Sequence, residues 1–222
     1  MLRSLDLGVP KFCLPSIKEG SEYKEFASDQ GGEVGEFTVV TGEVERWGSR
    51  VFQVAAAWKQ VFFNVLGSLE GLALSGDLLS RVKSAYDICE VFSDKAGKVL
   101  ESTVLVSLDK RLEPKAIAVL QNIEGSSNPW LWFLCTSPSN LLPSHLSREE
   151  RVRGAGSSII KFIATNMLEE GAKLRLGADP SALGFYKKCF FKSEREYINS
   201  EGQQRVEMSL TSTVAQRFFK GK

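Results

Sequence analysis

A glycine-containing segment with two arginines carries the clearest chemistry in this chain. Residues 151–157 read Arg-Val-Arg-Gly-Ala-Gly-Ser and precede apolar residues at helical spacing. The first turn of a helix leaves backbone N–H groups without intrahelical acceptors, and the helix dipole adds partial positive charge there. Glycine lets a ligand approach the backbone because it has no Cβ atom. The segment therefore predicts a phosphate site, and the two arginines suit a pyrophosphate.

A second block follows after a short predicted strand. It holds Asp179, Ala182, Phe185 and Tyr186. The loop and this block together resemble the GNAT superfamily of acyl-CoA-dependent N-acyltransferases, whose members carry Arg/Gln-x-x-Gly-x-Gly/Ala followed by Asn-x-x-Ala-x-x-Phe-Tyr. The resemblance covers about residues 86 to 210, and it is most specific between residues 151 and 191.

The resemblance implies a set of residues that bind acetyl-CoA as co-substrate, without a metal. Main-chain N–H groups of the glycine loop would hold the pyrophosphate, and N–H groups at the end of the strand Trp130 to Thr136 would polarise the thioester carbonyl. Tyr186 would protonate the departing thiolate. The residues expected to contact the co-substrate are Arg151, Val152, Arg153, Gly154, Ala155, Gly156, Ser157, Leu134, Thr136 and Asp179.

The activity implied is the transfer of an acetyl group from acetyl-CoA to a primary amine by direct attack in a ternary complex. The acceptor would be a small-molecule or protein amine, and no motif in the sequence identifies it. A general base must take the proton of the amine, and the strand Trp130 to Ser137 contains no carboxylate. The candidates, each equally compatible with a solvated surface group, are Glu124, His145, Glu149 and Glu150.

Three positions depart from the family pattern. Asp179 stands where the family usually has asparagine, and Phe190 stands where it usually has glycine. A left-handed turn at Phe190 would cost about 1 to 2 kcal/mol, so we expect this corner to be rebuilt. The link between Pro138 and the glycine loop is long, so Ser139 to Glu150 is interpreted as an insertion beside the acceptor site.

Composition excludes several classes of protein. The 222 residues include 28 lysines and arginines against 27 acids, a net charge of +1, so neither nucleic acid nor a membrane is expected as a partner. The four cysteines are far apart, as in a protein with reduced thiols. The N-terminus lacks the apolar core of a signal peptide, and Val51 to Leu74 contains too many polar residues for a membrane span. A cytoplasmic location is therefore expected.

The spacing of apolar residues predicts an α+β fold, a three-layer GNAT-like arrangement with a mixed, mostly antiparallel sheet flanked by helices. Residues 1–35 are predicted to be an extended or partly disordered arm, residues 36–216 the domain, and residues 217–222 a tail. The predicted elements are a strand over Glu36 to Glu43, a helix over Val51 to Leu69, a second helix from Asp77, strands over Ile88 to Phe92, Thr103 to Leu108, Ala116 to Ile123 and Trp130 to Thr136, and further elements after the glycine loop.

Other functions remain to be weighed against acyl transfer. A dinucleotide oxidoreductase is disfavoured because the loop lacks a third glycine and does not follow a core strand. A GNAT-like module that binds acyl-CoA or a protein partner without turnover is compatible with Phe190 and the missing strand carboxylate. A homodimer formed through the helix Val51 to Leu69 is compatible with either function.

Overall fold

The computed structural model describes residues 32–34, 37–69, 76–94, 102–123, 126–142, 152–200 and 202–219. Residues 1–31 of the predicted arm, Arg151 and most of the predicted insertion lie outside these ranges. The elements in chain order are β1 (Gly32–Val34), β2 (Phe37–Glu43), α1 (Val44–Leu69), α2 (Gly76–Asp94), β3 (Ser102–Leu108), β4 (Pro114–Gln121), β5 (Trp130–Thr136), α3 (Pro138–Leu141), α4 (Ala155–Phe162) with a π-helical turn (Ile163–Met167), β6 (Lys173–Ala178), a 3₁₀ turn (Pro180–Ala182), α5 (Leu183–Lys188), β7 (Lys192–Ile198), β8 (Gln204–Thr211) and α6 (Ser212–Phe219).

Within the described residues, eight strands form one sheet in the order β1-β2-β3-β4-β5-β6-β8-β7. Neighbouring strands are antiparallel except β5 and β6, which run parallel and pair at a single position, Trp130 with Arg175. Beyond this pair the two strands separate toward their carboxyl ends. The mixed, mostly antiparallel sheet predicted from the sequence is confirmed.

Helices cover both faces of the sheet. On one face α1 and α2 bury Trp58, Phe62 and Val82 against β3, β4 and β5. On the other face α4 and α6 bury Ile159, Ile160 and Ala215 over β4, β6 and β8. The gap between β5 and β6 therefore lies between two helical layers.

Helix α1 has the apolar face that its sequence predicts. Val51, Val54, Ala55, Trp58 and Phe62 recur at helical spacing, and all are buried against the sheet. The helix begins at residue 44, seven residues before the predicted start, since the polar residues ahead of Val51 give no amphipathic signal.

The predicted strand over Ile88 to Phe92 is wrong. These residues continue α2 to Asp94. The inward positions are Val82, Ala85 and Cys89, which follow helical spacing across the predicted boundary. Burial of this stripe against β5 outweighs the preference of β-branched residues for strands.

The corner after α5 keeps the left-handed geometry of the family pattern, although the sequence led us to expect a rebuilt corner at Phe190. Phe190 has a φ of 66°, in the left-handed region where the family usually has glycine. Its ring stacks on Phe218 with a centroid distance of 4.0 Å and an interplanar angle of 5°. Phe218 belongs to α6, a helix absent from the sequence-based prediction. The stack offsets part of the backbone strain.

We expect the two rings to be energetically coupled. Phe218→Ala should lower the free energy of unfolding by about 0.5 to 1.5 kcal/mol more in the wild type than in a Phe190→Gly background, because the stack exists in the wild type alone. Chemical denaturation of the four proteins measures this difference. A coupling near zero would show that the stack does not stabilise the corner.

Candidate functional site

The glycine loop forms the start of α4 as predicted. Gly154 is the N-cap residue with a φ of 103°, a conformation that favours glycine, and no side chain caps the helix. Its carbonyl oxygen accepts the backbone N–H of Ser158 at 2.8 Å and the hydroxyl of Ser157 at 2.9 Å. The backbone N–H groups of Ala155, Gly156 and Ser157 therefore have no acceptor inside the helix. This is the geometry of an anion site.

Close packing brings the loop to the end of β5 and to α5. A Cβ atom on Gly156 would lie 3.3 Å from Thr136 Cγ2 and 3.3 Å from Phe185 Cζ. A Cβ atom on Gly154 would lie 3.4 Å from Cε2 of Phe37, on β2. A Cβ atom on Gly156 would thus press on its neighbours, whereas one on Gly154 would make an ordinary contact, and the positive φ is what favours glycine at residue 154. The structure assembles Gly156, Thr136 and Phe185, which the sequence predicts in two separate blocks.

The predicted N–H groups do not all remain available to a ligand. The N–H of Val152 donates to Oδ1 of Asn140 at 2.9 Å, which ties the loop to α3. Arg153 is exposed, and Leu134 is half-buried against the core below α4. Val152 is therefore an anchor of the loop in this structure. Arg153 and Gly154 are exposed, whereas Ala155 and Gly156 are buried.

A β-bulge lies in β5 beside the gap. Val119 pairs with Phe133 and Leu120 pairs with Leu131, so β5 has one extra residue, Trp132, between them. Bulges increase the local twist of a strand. The bulge precedes Leu134 and Thr136, so it redirects the part of β5 that borders the separation from β6.

Tyr186, on α5, is held beside the loop by two aromatic neighbours, one on α5 and one just before β7. Its ring makes edge contacts with Phe185 and Phe191, at centroid distances of 5.1 and 5.6 Å. Burial raises the pKa of Tyr186, and the nearby Cys189 and Cys135 raise it further. Within the described residues its hydroxyl has no hydrogen-bond partner. The side chain therefore remains protonated near neutral pH, with a hydroxyl free to donate.

Asp179 fixes the turn that leads to Tyr186. Its Oδ1 accepts the backbone N–H of Ser181 at 2.9 Å and the Ser181 hydroxyl at 2.7 Å, and its Oδ2 accepts Nη1 of Arg205 at 2.5 Å. Burial alone would raise the pKa of Asp179, but the hydrogen bonds from Ser181 and Arg205 outweigh it and lower the pKa. Both carboxylate oxygens are engaged within the protein. Sequence analysis missed Arg205 because it lies on β8, remote from both motifs.

Helix α2 reaches the same region from the opposite face. Sγ of Cys89 lies 3.5 Å from Sγ of Cys135 at the end of β5. Two residues earlier, Asp87 is half-buried. The pKa of Asp87 is raised above its ordinary value, and burial is the largest cause. The negative charges of Glu90 and Asp179 raise this pKa further, whereas the positive charges of Lys83 and Arg205 lower it. Sequence analysis missed Asp87 because the wrong strand at Ile88 ended α2 at this position.

The predicted general bases cannot be placed in the site. Glu124, His145, Glu149 and Glu150 all lie outside the described residues, as does most of the insertion Ser139 to Glu150. Among the described residues, no three His, Cys, Asp or Glu side chains are grouped so that they could hold a metal. In the same ranges, no helix is both long enough and apolar enough to span a bilayer.

Comparison with known proteins finds similarity in solved structures alone. No model of a protein family matches the chain, and no curated protein does. A dodecameric spermidine N-acetyltransferase from Vibrio cholerae is 12% identical over 85% of this chain and 100% of its own, with a TM-score of 0.44. Histone acetyltransferase HPA2 and related acetyltransferase from Corynebacterium glutamicum is 15% identical over 68% and 90%, with a TM-score of 0.40.

A third similar structure is an aminoglycoside 6'-N-acetyltransferase complexed with coenzyme A. It is 13% identical over 55% of this chain and 81% of its own, with a TM-score of 0.43. Because each of these three TM-scores is below 0.5, we argue the function from the residues of this chain.

The ion pair between Asp179 and Arg205 should make stability depend on pH. The pKa of Asp179 in the folded protein is below its ordinary value of 3.8. The ionised carboxylate therefore contributes fully to the free energy of unfolding above pH 3.8, and this contribution is lost as the pH falls through the pKa of the folded protein. We expect Asp179→Asn to lower the free energy of unfolding by about 1 to 2 kcal/mol at pH 7. Urea denaturation of both proteins at pH 7 and pH 3 measures this change in the free energy of unfolding.

The difference between wild type and Asp179→Asn should shrink at pH 3. Glu196→Gln is the control, since Glu196 is exposed and accepts one hydrogen bond from Gln204 at 3.1 Å. This control should stay within about 0.5 kcal/mol of the wild type at both pH values. An equal loss for Asp179→Asn at both pH values would show that its charge does not carry the stabilisation.

Proposed function

We propose that this protein is an acyl-CoA-dependent N-acetyltransferase that moves an acetyl group from acetyl-CoA to a primary amine. One observation carries the proposal. The uncapped start of α4 and the side chain of Tyr186 lie at the same gap, between strands that pair only at Trp130 and Arg175. In this proposal the helix start is the anion site and Tyr186 is the proton donor, and both border the place where the sheet opens.

The loop is proposed to bind the pyrophosphate of the co-substrate. The N–H groups from Arg153 to Ser157 would supply hydrogen bonds and partial positive charge, and the guanidinium groups of Arg151 and Arg153 would supply full charges. The main chain at Leu134 and Thr136 would hold the arm that leads to the thioester. Asp179 would act indirectly, because its oxygens already bind Ser181 and Arg205 and thereby position α5.

The proposed reaction requires few protein groups. The amine nitrogen attacks the thioester carbonyl carbon, a C–N bond forms, and the C–S bond breaks. A base or an ordered water takes the proton of the amine. Tyr186 gives its proton to the thiolate sulfur, and N–H groups at the end of β5 stabilise the negative charge on the carbonyl oxygen. The raised pKa of Tyr186 keeps the hydroxyl protonated near neutral pH.

A negative side chain in the loop should abolish CoA binding. Gly154→Asp places a carboxylate at the proposed pyrophosphate position and adds a side chain beside the ring of Phe37. Calorimetry with CoA measures the loss. Gly171→Asp is the matched control, because Gly171 also has a positive φ, 81°, and a Cβ there meets no heavy atom within 4 Å. The control should bind CoA as the wild type does. Unchanged affinity in a folded Gly154→Asp protein would refute the site.

Removal of the Tyr186 hydroxyl should reduce turnover with little effect on binding. Tyr186→Phe retains the ring contacts with Phe185 and Phe191. We expect a loss of about a hundredfold in kcat, the low end for general acid catalysis, because a thiolate is already a fair leaving group. Thioester consumption over a panel of amines gives kcat, and calorimetry gives the Kd of CoA.

The same assay separates acyl transfer from a binding module without turnover. An unchanged kcat in Tyr186→Phe, with chemistry shown to be rate-limiting, would mean that water supplies the proton. Absence of turnover by the wild type with every amine, together with CoA binding, would instead favour the binding module.

A further inference from the structure

We infer that Asp87 receives the ammonium group of the acceptor and takes up its proton at the gap between β5 and β6. This inference rests on the proposed function. It assigns a general base that the sequence motifs do not contain, and it names the acceptor class, a primary amine that is cationic near neutral pH.

The position of Asp87 follows from contacts on both sides of the gap. Cys89 contacts Cys135 at the carboxyl end of β5, with 3.5 Å between the sulfur atoms. Asp87 interacts electrostatically with Asp179, which directly follows β6, and with Arg205 on β8. Helix α2 also contacts the 3₁₀ turn that leads to Tyr186. Helix α2 therefore lies beside the ends of both separated strands, on the face opposite α4, and Asp87 lies on the part of that helix near Asp179 and Arg205.

Neighbouring carboxylates are already paired, and Asp87 is the exception among those described around the gap. Asp179 binds Ser181 and Arg205, as described above. Glu90, one turn further along α2, lies 3.1 Å from Nζ of Lys59 and accepts the hydroxyl of Tyr86 at 3.1 Å. On the same face of the sheet, Glu207 binds Arg175 and Arg195. Within the described residues, Asp87 forms neither a hydrogen bond nor a close ion pair.

An unpaired, half-buried carboxylate favours a cationic ligand. Burial without a hydrogen-bond partner costs free energy, and an ammonium group would repay that cost with charge-assisted hydrogen bonds. The charged groups that face Asp87 are Lys83 and Glu90 on its own helix, Asp179 on the turn and Arg205 on β8. Arg205 is held by Asp179, so it does not neutralise Asp87 fully.

The same environment suits Asp87 to accept a proton. Burial, Glu90 and Asp179 together raise its pKa above the ordinary value, which brings it closer to working pH and makes it a stronger base. One proton passes from the ammonium nitrogen to the carboxylate, leaving a neutral amine and a neutral carboxylic acid. The amine lone pair then attacks the thioester carbonyl, with Tyr186 on the leaving-group side.

Asp87→Asn tests the inference with two kinds of amine. An aliphatic diamine is cationic at pH 7.5, and an aniline is neutral there. The variant should lower kcat/KM at least tenfold for the diamine and by less than twofold for the aniline. The limb of the diamine pH profile that rises from acid pH in the wild type should disappear. Calorimetry should show unchanged CoA affinity.

Glu196→Gln is the control, because it removes one negative charge from an exposed side chain on β7 that is not among the charged groups acting on Asp87. It should change kcat/KM for either amine by less than about twofold. Equal losses for both amines in Asp87→Asn, or no loss for the diamine, would overturn the inference while leaving acyl transfer intact.

A binding measurement keeps the inference separate from turnover. Titration of the diamine into CoA-saturated protein should show at least tenfold weaker binding to Asp87→Asn than to the wild type. Equal binding by the two proteins would refute recognition of the cation by Asp87. Failure of the wild type to bind CoA at all would instead refute the proposed function.

Discussion

The parallel contact between β5 and β6 is the constraint on which the rest of the molecule depends. Every other neighbouring pair in the described sheet is held by several register positions, whereas this pair has one, at Trp130 and Arg175. Strands that separate expose backbone groups that must find other partners. In this chain the opening coincides with the start of α4 and with α5. The site is therefore a consequence of how the sheet is joined.

Elements at the opening are fixed by a few contacts between distant parts of the chain. Asp179 and Arg205 join the end of β6 to β8 and set the direction of α5. Cys89 and Cys135 join α2 to β5. The close approach of Gly156 to Phe185 joins the two helices that follow β5 and β6. Because these contacts cross between motifs, a change at one of them would alter the relative position of loop, tyrosine and α2.

Local patterns in the sequence predicted the parts of the fold that depend on local physics. The amphipathic face of α1, the strand over Trp130 to Thr136 and the glycine start of α4 were predicted because each has its own periodicity or turn chemistry. The corner at Phe190 was expected to be rebuilt, but its left-handed geometry is retained, with the ring of Phe190 stacked on Phe218. Helix α6 was missed, since its short apolar stripe gains stability only by packing under the π-helical turn after α4.

The candidate functional residues also differ in whether local sequence or tertiary packing identifies them. The loop residues and Tyr186 belong to contiguous motifs, so the resemblance to the GNAT superfamily identified them as candidates. Asp87 and Arg205 could not be found in this way, because their relevance depends on a tertiary arrangement in which α2 and β8 converge on one gap. Asp87 becomes a candidate because, among the residues that the structure describes, the carboxylates around it have hydrogen bonds or ion pairs and it has neither. Which carboxylates are paired is decided by the folded structure and cannot be read from the sequence. The residues proposed to bind the co-substrate thus lie in sequence motifs, whereas the residue proposed to receive the acceptor becomes recognisable only from the packing of α2 and β8.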